Sequence, residues 1–165
     1  MPTGTNDGAA DHQEIDASAV PIMPSQRSRQ ILNIGGALFE WGAKTYVMGV
    51  LNVTPDSFSG DGVGADVKRA VAQAKQFESD GAHIIDIGGE STRPPGVYAG
   101  AAPVSDNVEL DRVLPVIEAV IEAVAIPVSI DTRKAVVARK AVAAGAGLVN
   151  DVTMLQDDRD MTSTV

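Results

Sequence analysis

The segment YVMGVLN, residues 46–52, is a continuous apolar run that ends in an amide side chain. Short apolar runs of this kind are typical of strands buried in a parallel sheet. The same arrangement recurs three times further along the chain. The later apolar runs and the residues that follow them are 83–87 before Gly88, Gly89 and Glu90, 126–130 before Asp131, and 148–149 before Asn150 and Asp151. The sequence therefore predicts four strands with polar or glycine residues at their carboxyl ends.

Apolar residues between these strands recur at helical spacing. We predict helices over residues 66–79, 105–124 and 132–144. Ser105 is expected to cap the second helix and Thr132 the third. Pro115 is expected to kink the second helix or to mark a fresh start. A further helix is expected to begin near Asp158 and to run to the end of the chain.

Two segments precede the first of these strands. Residues 31–34 and 37–41 flank Gly35 and Gly36, a pattern that predicts a β-hairpin. Residues 1–28 contain few large apolar side chains, so they cannot offset the entropy of ordering and are expected to form a disordered leader. The folded domain is expected to extend from residue 29 to residue 165.

Alternation of strands and helices predicts an α/β fold with a parallel sheet and right-handed crossovers. Two closures are compatible with the pattern, an open doubly wound sheet and a TIM (β/α)8 barrel. Four strand–helix units amount to half of such a barrel, preceded here by the hairpin.

Composition and charge exclude several classes of function. The net charge is −9, which disfavours nucleic acid and anionic lipid as partners. The chain has no cysteine, so disulfides and thiolate chemistry are excluded. No apolar run reaches the roughly 18 residues that span a bilayer. We therefore expect a cytoplasmic protein with no membrane partner.

The polar strand ends are candidates for a shared site, because ligands of parallel α/β folds bind at the carboxyl ends of the strands. Asn52 could hold a cation or a phosphate, and Arg93 suits an anionic substrate. Asp131 and Asn150 offer donors and acceptors for the edge of a heterocycle. Helix caps and turns are the alternative explanation of such residues.

Three glycine or acidic positions near the second of these strands also stand out. Gly88 and Gly89 are expected to let the backbone approach a ligand closely. Asp86 is expected to be buried, to need a partner and to serve structure rather than catalysis.

Four stretches of sequence, taken together, resemble dihydropteroate synthase of folate biosynthesis. They are MGVLNVTPDSFS at 48–59, DIGGESTRP at 86–94, SIDT at 129–132 and VNDV at 149–152. The resemblance implies a (β/α)8 barrel that joins p-aminobenzoate to 6-hydroxymethyl-7,8-dihydropterin diphosphate. It also implies magnesium as the cofactor and diphosphate as the leaving group.

The resemblance assigns roles to individual residues. Asn52 is similar to the family residue near magnesium and diphosphate. Thr92 and Arg93 resemble the loop that contacts diphosphate and shapes the p-aminobenzoate site. Asp131 and Asn150 resemble two residues that bind the pterin ring.

Arg93 and Asp61 are the catalytic candidates that the resemblance provides. Two departures from the family pattern accompany them. Gly60 is inserted before Asp61 in the first loop, and the second loop, residues 94–103, is longer than the common form.

The resemblance reaches only the first half of the family's barrel. We therefore expect the 165-residue chain to be inactive by itself. A pterin-binding methyltransferase domain is one alternative. An inactive half-barrel that associates with a second copy, as a homodimer, is the other.

Overall fold

A computed structural model describes three parts of the chain, residues 30–54, 63–91 and 103–165. The predicted leader, residues 1–28, lies outside these residues. The first described element is an antiparallel hairpin of β1 (Ile31–Ile34) and β2 (Ala37–Glu40), as predicted. Its two-residue turn places Gly35 and Gly36 at φ of 54° and 89°, a conformation that glycine adopts without strain.

The rest of the described structure is a four-stranded parallel sheet with helices between its strands. The strands are β3 (Met48–Asn52), β4 (Ile84–Gly88), β5 (Val128–Asp131) and β6 (Leu148–Asn150). The helices are α1 (Val63–Ser79), α2 (Asp106–Ala123) and α3 (Ala135–Ala143). The strand order is β3-β4-β5-β6, with every pair parallel.

All three helices pack on one face of this sheet, which we call the outer face. Leu51, Ile87 and Ile130 point to it and are at most 2% exposed. They form one apolar cluster with side chains of all three helices, including Ala74 and Ile117. A doubly wound sheet has helices on both faces and reverses its strand order. Sequential order with helices on one face is the winding of a barrel.

The hairpin covers the amino ends of the strands. Ile34 and Phe39 are buried against Ile84 of β4. The hairpin turn also lies against Gly147, where an added Cβ would stand 2.6 Å from the backbone nitrogen of Gly35. The hairpin therefore lies at the end of the sheet opposite to the carboxyl ends of the strands, where a site is expected.

Strand β3 differs from the buried strand that its apolar sequence predicts. Gly49 and Leu51 are buried, but Met48 and Val50 are 37% and 54% exposed. A strand is apolar on both faces when both faces are covered. Here the helices cover the outer face, and none of the described residues covers β3 on the other side.

The start of α3 also differs from the prediction, which made Thr132 its cap. The helix begins at Ala135, whose backbone N–H donates to Asp158 Oδ2 at 2.8 Å. Thr132 Oγ1 accepts from the backbone N–H of Lys134 at 3.2 Å, one residue before the helix begins. The carboxylate of Asp158 therefore accepts from the first backbone N–H of α3, the capping role that the sequence predicted for Thr132.

The predictions for α2 and for the end of the chain had mixed outcomes. Ser105 caps α2 as expected, and its Oγ accepts from Val108 N. The helix is continuous through Pro115, so that residue is not a fresh start. The prediction of a terminal helix is wrong, because residues 158–165 contain only a 3-10 turn, Met161–Ser163.

None of the helices in the parts of the chain that the structure describes is long and apolar enough to cross a membrane.

Candidate functional site

The residues predicted at the strand ends form one row across the free end of the sheet. Asn52 is level with Gly88, Gly88 with Asp131, and Asp131 with Asn150. Level residues of parallel strands point to the same face. Their side chains point away from the helices, to what we call the inner face. The structure thus brings Asn52, Asp131 and Asn150 together.

Gly88 leaves space in the middle of this row. A Cβ built on it would lie 3.4 Å from Asp131 Oδ2 and 3.8 Å from Asn52 Oδ1. Because Gly88 has no side chain, the space between the side chains of Asn52 and Asp131 stays open down to the backbone of β4. Gly89 has a different role from the one that the sequence predicted, because its Cβ would lie 2.7 Å from Val113 of α2. Gly89 allows the helix to pack closely and does not face the row.

Asp131 is the one titratable residue of the row. Burial raises the pKa of its carboxyl group to about 6, and the charges of Asp86, Glu109 and Asp151 act in the same direction. Its Oδ1 is buried and has no hydrogen-bond partner among the described residues. A carboxylate in this position is a strong acceptor for a ligand that brings N–H donors.

Asp86 lies one level below the row on the inner face and is 2% exposed. Its Oδ2 accepts a hydrogen bond of 2.9 Å from Asn150 Nδ2. The partner that its burial required is therefore an amide of the site itself.

A network of charges at the rim of the sheet was not anticipated from the sequence. Glu90 Oε1 accepts from Arg133 Nη2 at 2.8 Å and from Arg133 Nε at 3.1 Å. Glu90 Oε2 accepts from Lys134 Nζ at 2.6 Å and from Val104 N at 3.1 Å. Burial opposes ionisation of Glu90 most strongly, but these donors together outweigh it and hold its pKa below the usual value.

Lys134 extends this network to the outer helices. Its Nζ donates to Glu109 Oε2 at 2.7 Å and to the backbone oxygen of Val104 at 2.6 Å. Burial disfavours the charged ammonium, yet Glu109 and Glu90 outweigh it and raise the pKa of Lys134. We call Glu90, Glu109, Arg133 and Lys134 the rim network.

One sequence signal could have revealed this network. Glu109 stands four residues before Val113, on the buried stripe of α2, and is itself 1% exposed. A carboxylate on an apolar stripe requires a cationic partner. Nothing in the sequence identifies Lys134 as that partner.

The remaining candidate residues, Asp61, Thr92 and Arg93, lie outside the residues that the structure describes. Within the described ranges, no group of three or more His, Cys, Asp or Glu side chains could hold a metal ion. Asn52 contributes one hard oxygen at the mouth. This is a partial fit to magnesium, which commonly takes one or two protein oxygens and completes its shell with phosphates and water.

A groove of about 610 Å³ lies along the edge of β3. It is lined by Val50, Leu51 and Asn52 and by residues of α1 that include Gln73 and Phe77. Because Val50 and Leu51 point to opposite faces, the groove straddles the sheet edge. It is distinct from the polar row and shares only Asn52 with it.

Comparison with known proteins connects this arrangement to a family. The family model described as "pterin binding enzyme" matches residues 48–165. Dihydropteroate synthase of Synechocystis is 52% identical over 122 residues, which cover 74% of this chain and 40% of the relative. Dihydropteroate synthase of Bacillus subtilis is 47% identical over 134 residues, covering 81% and 45%. The chain thus spans less than half the length of these relatives.

Solved structures give the same picture. Dihydropteroate synthase of Xanthomonas albilineans with 4-aminobenzoic acid superposes with a TM-score of 0.72 at 44% identity, over 82% of this chain and 48% of that one. The same enzyme in complex with 7,8-dihydropteroate gives 0.68 at 39% identity, over 82% and 47%. The barrel fold expected from the sequence is confirmed, with this chain as one part of it. The chain belongs to the pterin-binding enzyme family.

Proposed function

We propose that this chain is the amino-terminal part of a dihydropteroate synthase. The observation that carries the proposal is the row of Asn52, Gly88, Asp131 and Asn150 on the inner face of the sheet. The relatives that share this part of the chain at about half identity are named as that enzyme.

The proposed role of Asp131 and Asn150 is to hold the pterin ring. The aminopyrimidinone edge of a pterin carries an amino group and ring N–H, which are donors. Asp131, with its pKa near 6, is mostly charged at neutral pH and accepts such donors through its unpartnered Oδ1. Charge-assisted hydrogen bonds of this kind are about twice as strong as neutral ones.

The reaction forms one bond and breaks another. The amino nitrogen of p-aminobenzoate bonds to the exocyclic methylene of the pterin and loses a proton. The carbon–oxygen bond to diphosphate breaks, and diphosphate leaves with the electron pair. Support of the leaving anion by cations lowers the barrier.

Asn52, at the mouth of β3, is the described residue that we propose for the diphosphate end. Magnesium, when bound beside it, would neutralise charge on the leaving diphosphate. We propose Arg93 and Thr92 for the diphosphate and p-aminobenzoate contacts, and Asp61 for the first loop. These three roles rest on the sequence resemblance.

We also propose that the 165-residue chain does not complete this reaction by itself. The relatives are more than twice as long as the part that they share with it. On the inner face, Val50 of β3 is 54% exposed, so the β3 side of the proposed site is open to water in this chain. Water competes with p-aminobenzoate and weakens the electrostatic support of the leaving group.

The proposal is tested with a chimera. Residues 1–165 are joined to the remaining carboxyl-terminal part of the Bacillus subtilis relative, and diphosphate release is measured with pterin diphosphate and p-aminobenzoate. We expect release from the chimera, none from the 165-residue chain, and at least a hundredfold loss in the chimera with Asp131→Ala. Intact Bacillus subtilis enzyme is the assay control.

Each arm of this experiment has a contradicting result. A folded chimera that releases no diphosphate, beside an active control, would show that the synthase assignment is wrong. Release by the 165-residue chain would instead refute only the proposed inactivity.

Self-association is a second proposal, favoured by the exposed apolar side chains of β3 and the hairpin. Val50 and Met48 stand open on the inner face, and Leu38 of β2 is 70% exposed. Exposed large apolar side chains of this kind are candidates for an interface. We expect light scattering of the 165-residue chain to give the mass of a dimer, and a monomer at all concentrations would contradict it. The cytoplasmic location stays a prediction from the sequence.

A further inference from the structure

Asp86 is a buried carboxylate that accepts a single side-chain hydrogen bond from the described residues. The bond comes from the side-chain amide of Asn150, with 2.9 Å between Nδ2 and Oδ2. The other oxygen, Oδ1, is buried and has no partner in the described part of the chain. Burial of a carboxylate is costly, and an apolar residue would stabilise the sheet better. The position therefore calls for an explanation other than packing.

The path of this hydrogen bond is informative. Asp86 belongs to β4 and Asn150 to β6, and β5 lies between these strands. The residue of β5 level with Asp86 is Ser129, which is fully buried and small. A larger side chain at Ser129 would stand between the two groups. The inner face is thus shaped so that Asn150 can reach across one strand.

The chemistry of the pair fixes the orientation of the Asn150 amide. An ionised carboxylate accepts hydrogen bonds and donates none. Asn150 must therefore turn its amino group towards Asp86, and its carbonyl oxygen must turn the other way. The two ends of an asparagine amide differ only in this respect, so without Asp86 either orientation is open.

The orientation of the Asn150 amide affects the row of polar side chains that lies one level above Asp86. Asn150 is level with Asp131, the residue with an unpartnered acceptor oxygen. With the amide turned by Asp86, the carbonyl oxygen of Asn150 and the carboxylate of Asp131 are both acceptors. Two acceptors side by side select a ligand edge that carries two donors.

We propose that Asp86 is a positioning residue: it holds the Asn150 amide in the orientation that makes the site accept N–H donors. This inference rests on the proposed pterin site and adds a residue to it. Asp86 does not touch the ligand in this proposal and orients the site through Asn150. The site thus owes its preference for an amino-substituted heterocycle to a residue one level beneath its surface.

The first test needs no ligand and uses the 165-residue chain. The side-chain NH2 signals of Asn150 are recorded by nitrogen-15 NMR and assigned by their loss in Asn150→Asp. We expect solvent exchange of these protons to be at least tenfold faster in Asp86→Leu than in the unmodified chain. Ser129→Ala, a change at the neighbouring buried position, is the matched control and should leave the exchange unchanged.

The second test uses 6-hydroxymethylpterin as the probe and measures its affinity by calorimetry. We expect Asp86→Leu and Asn150→Ala each to weaken binding about tenfold or more. Because one residue acts through the other, the double variant should bind no more weakly than Asn150→Ala. Additive losses would overturn the proposal, and so would an unchanged exchange rate in Asp86→Leu.

Two further outcomes are distinguishable. If Asp86→Leu does not fold, Asp86→Asn keeps the volume and a neutral acceptor, and an intermediate exchange rate is expected. An exchange rate equal to that of the unmodified chain would then overturn the proposal. If the unmodified chain binds no 6-hydroxymethylpterin, the pterin site in this chain fails, while the exchange rates still decide whether Asp86 positions Asn150.

Discussion

The outer and inner faces of the sheet are made from the same strands but differ in almost every physical property. On the outer face, Leu51, Ile87 and Ile130 are covered by helices and pack in one buried apolar cluster. On the inner face, Asp86 and Ser129 are buried with polar atoms that have no partner among the described residues. Helices in the described part of the chain cover the outer face, whereas the inner face carries buried polar atoms that have no partner there. The apolar core therefore lies on the outer face, and the proposed binding site lies on the inner face.

The rim network joins the loops after β4 and β5 to helix α2. Its disruption should lower the free energy of unfolding more than any other change considered below. Lys134→Met leaves the carboxylates of Glu90 and Glu109 without their shared cation. Removal of one partner of a buried ion pair costs about 3–5 kcal/mol, so we expect a loss of this order in the free energy of unfolding. Urea unfolding measures it. The matched control is Lys140→Met at an exposed position, and an equal effect of both changes would refute the role of the network.

A pair of identical substitutions compares the two faces directly. Val128, on the outer face of β5, is 2% exposed, whereas Val50 on the inner face is 54% exposed. We expect Val128→Ala to lower the free energy of unfolding by about 2 kcal/mol, and Val50→Ala by less than about 0.5 kcal/mol. Urea unfolding decides between them. Similar losses at both positions would mean that the inner face is covered in solution.

Substitution of Asp131 should stabilise the chain, in contrast to the substitutions above, because its charge is unfavourable in the folded chain. The pKa of its carboxyl group is about 6 in the folded chain and lies above the ordinary value of 3.8, so the folded state binds the proton more tightly. Stability from this group falls as pH rises from about 4 to about 6. We expect Asp131→Asn to raise the free energy of unfolding by about 1–2 kcal/mol at pH 7 and to leave it unchanged near pH 4. Unfolding curves of both proteins across this range measure the difference, and a gain independent of pH would contradict the electrostatic explanation.

A change at Gly88 should alter the stability of the chain little. Its Cβ would meet Asp131 and Asn52 at ordinary contact distances, so Gly88→Ala should change the free energy of unfolding by less than about 1 kcal/mol. The methyl group would nevertheless fill the floor of the row and weaken binding of 6-hydroxymethylpterin. Calorimetry measures the change in affinity, and thermal unfolding measures the change in stability. Unaltered affinity would place the ligand elsewhere.

Much of the architecture could be read from local patterns. The hairpin, the four strands and the three helices each have a period or a turn signal that needs no knowledge of the remainder of the chain. Asn52, Asp131 and Asn150 were found for the same reason, since a polar residue directly after an apolar strand lies at the carboxyl end. Their alignment in one row follows from parallel pairing.

Other features depended on contacts between distant segments. Thr132 has the right chemistry for a helix cap, but the amide of Ala135 is satisfied by Asp158, more than twenty residues away. Val50 has the character of a buried residue, yet its exposure depends on what covers the inner face. Period and propensity carry no information about such partners.

The sequence by itself determined the strands, their polar ends and the family, because these depend on residue order and on motifs that are contiguous. Only the tertiary structure decided that Lys134 joins Glu90 to Glu109 and that Asp86 turns the amide of Asn150. The physical reason is that buried charges and amides are satisfied by whichever groups the fold brings within about 3 Å. That choice is made by packing between segments remote in the chain.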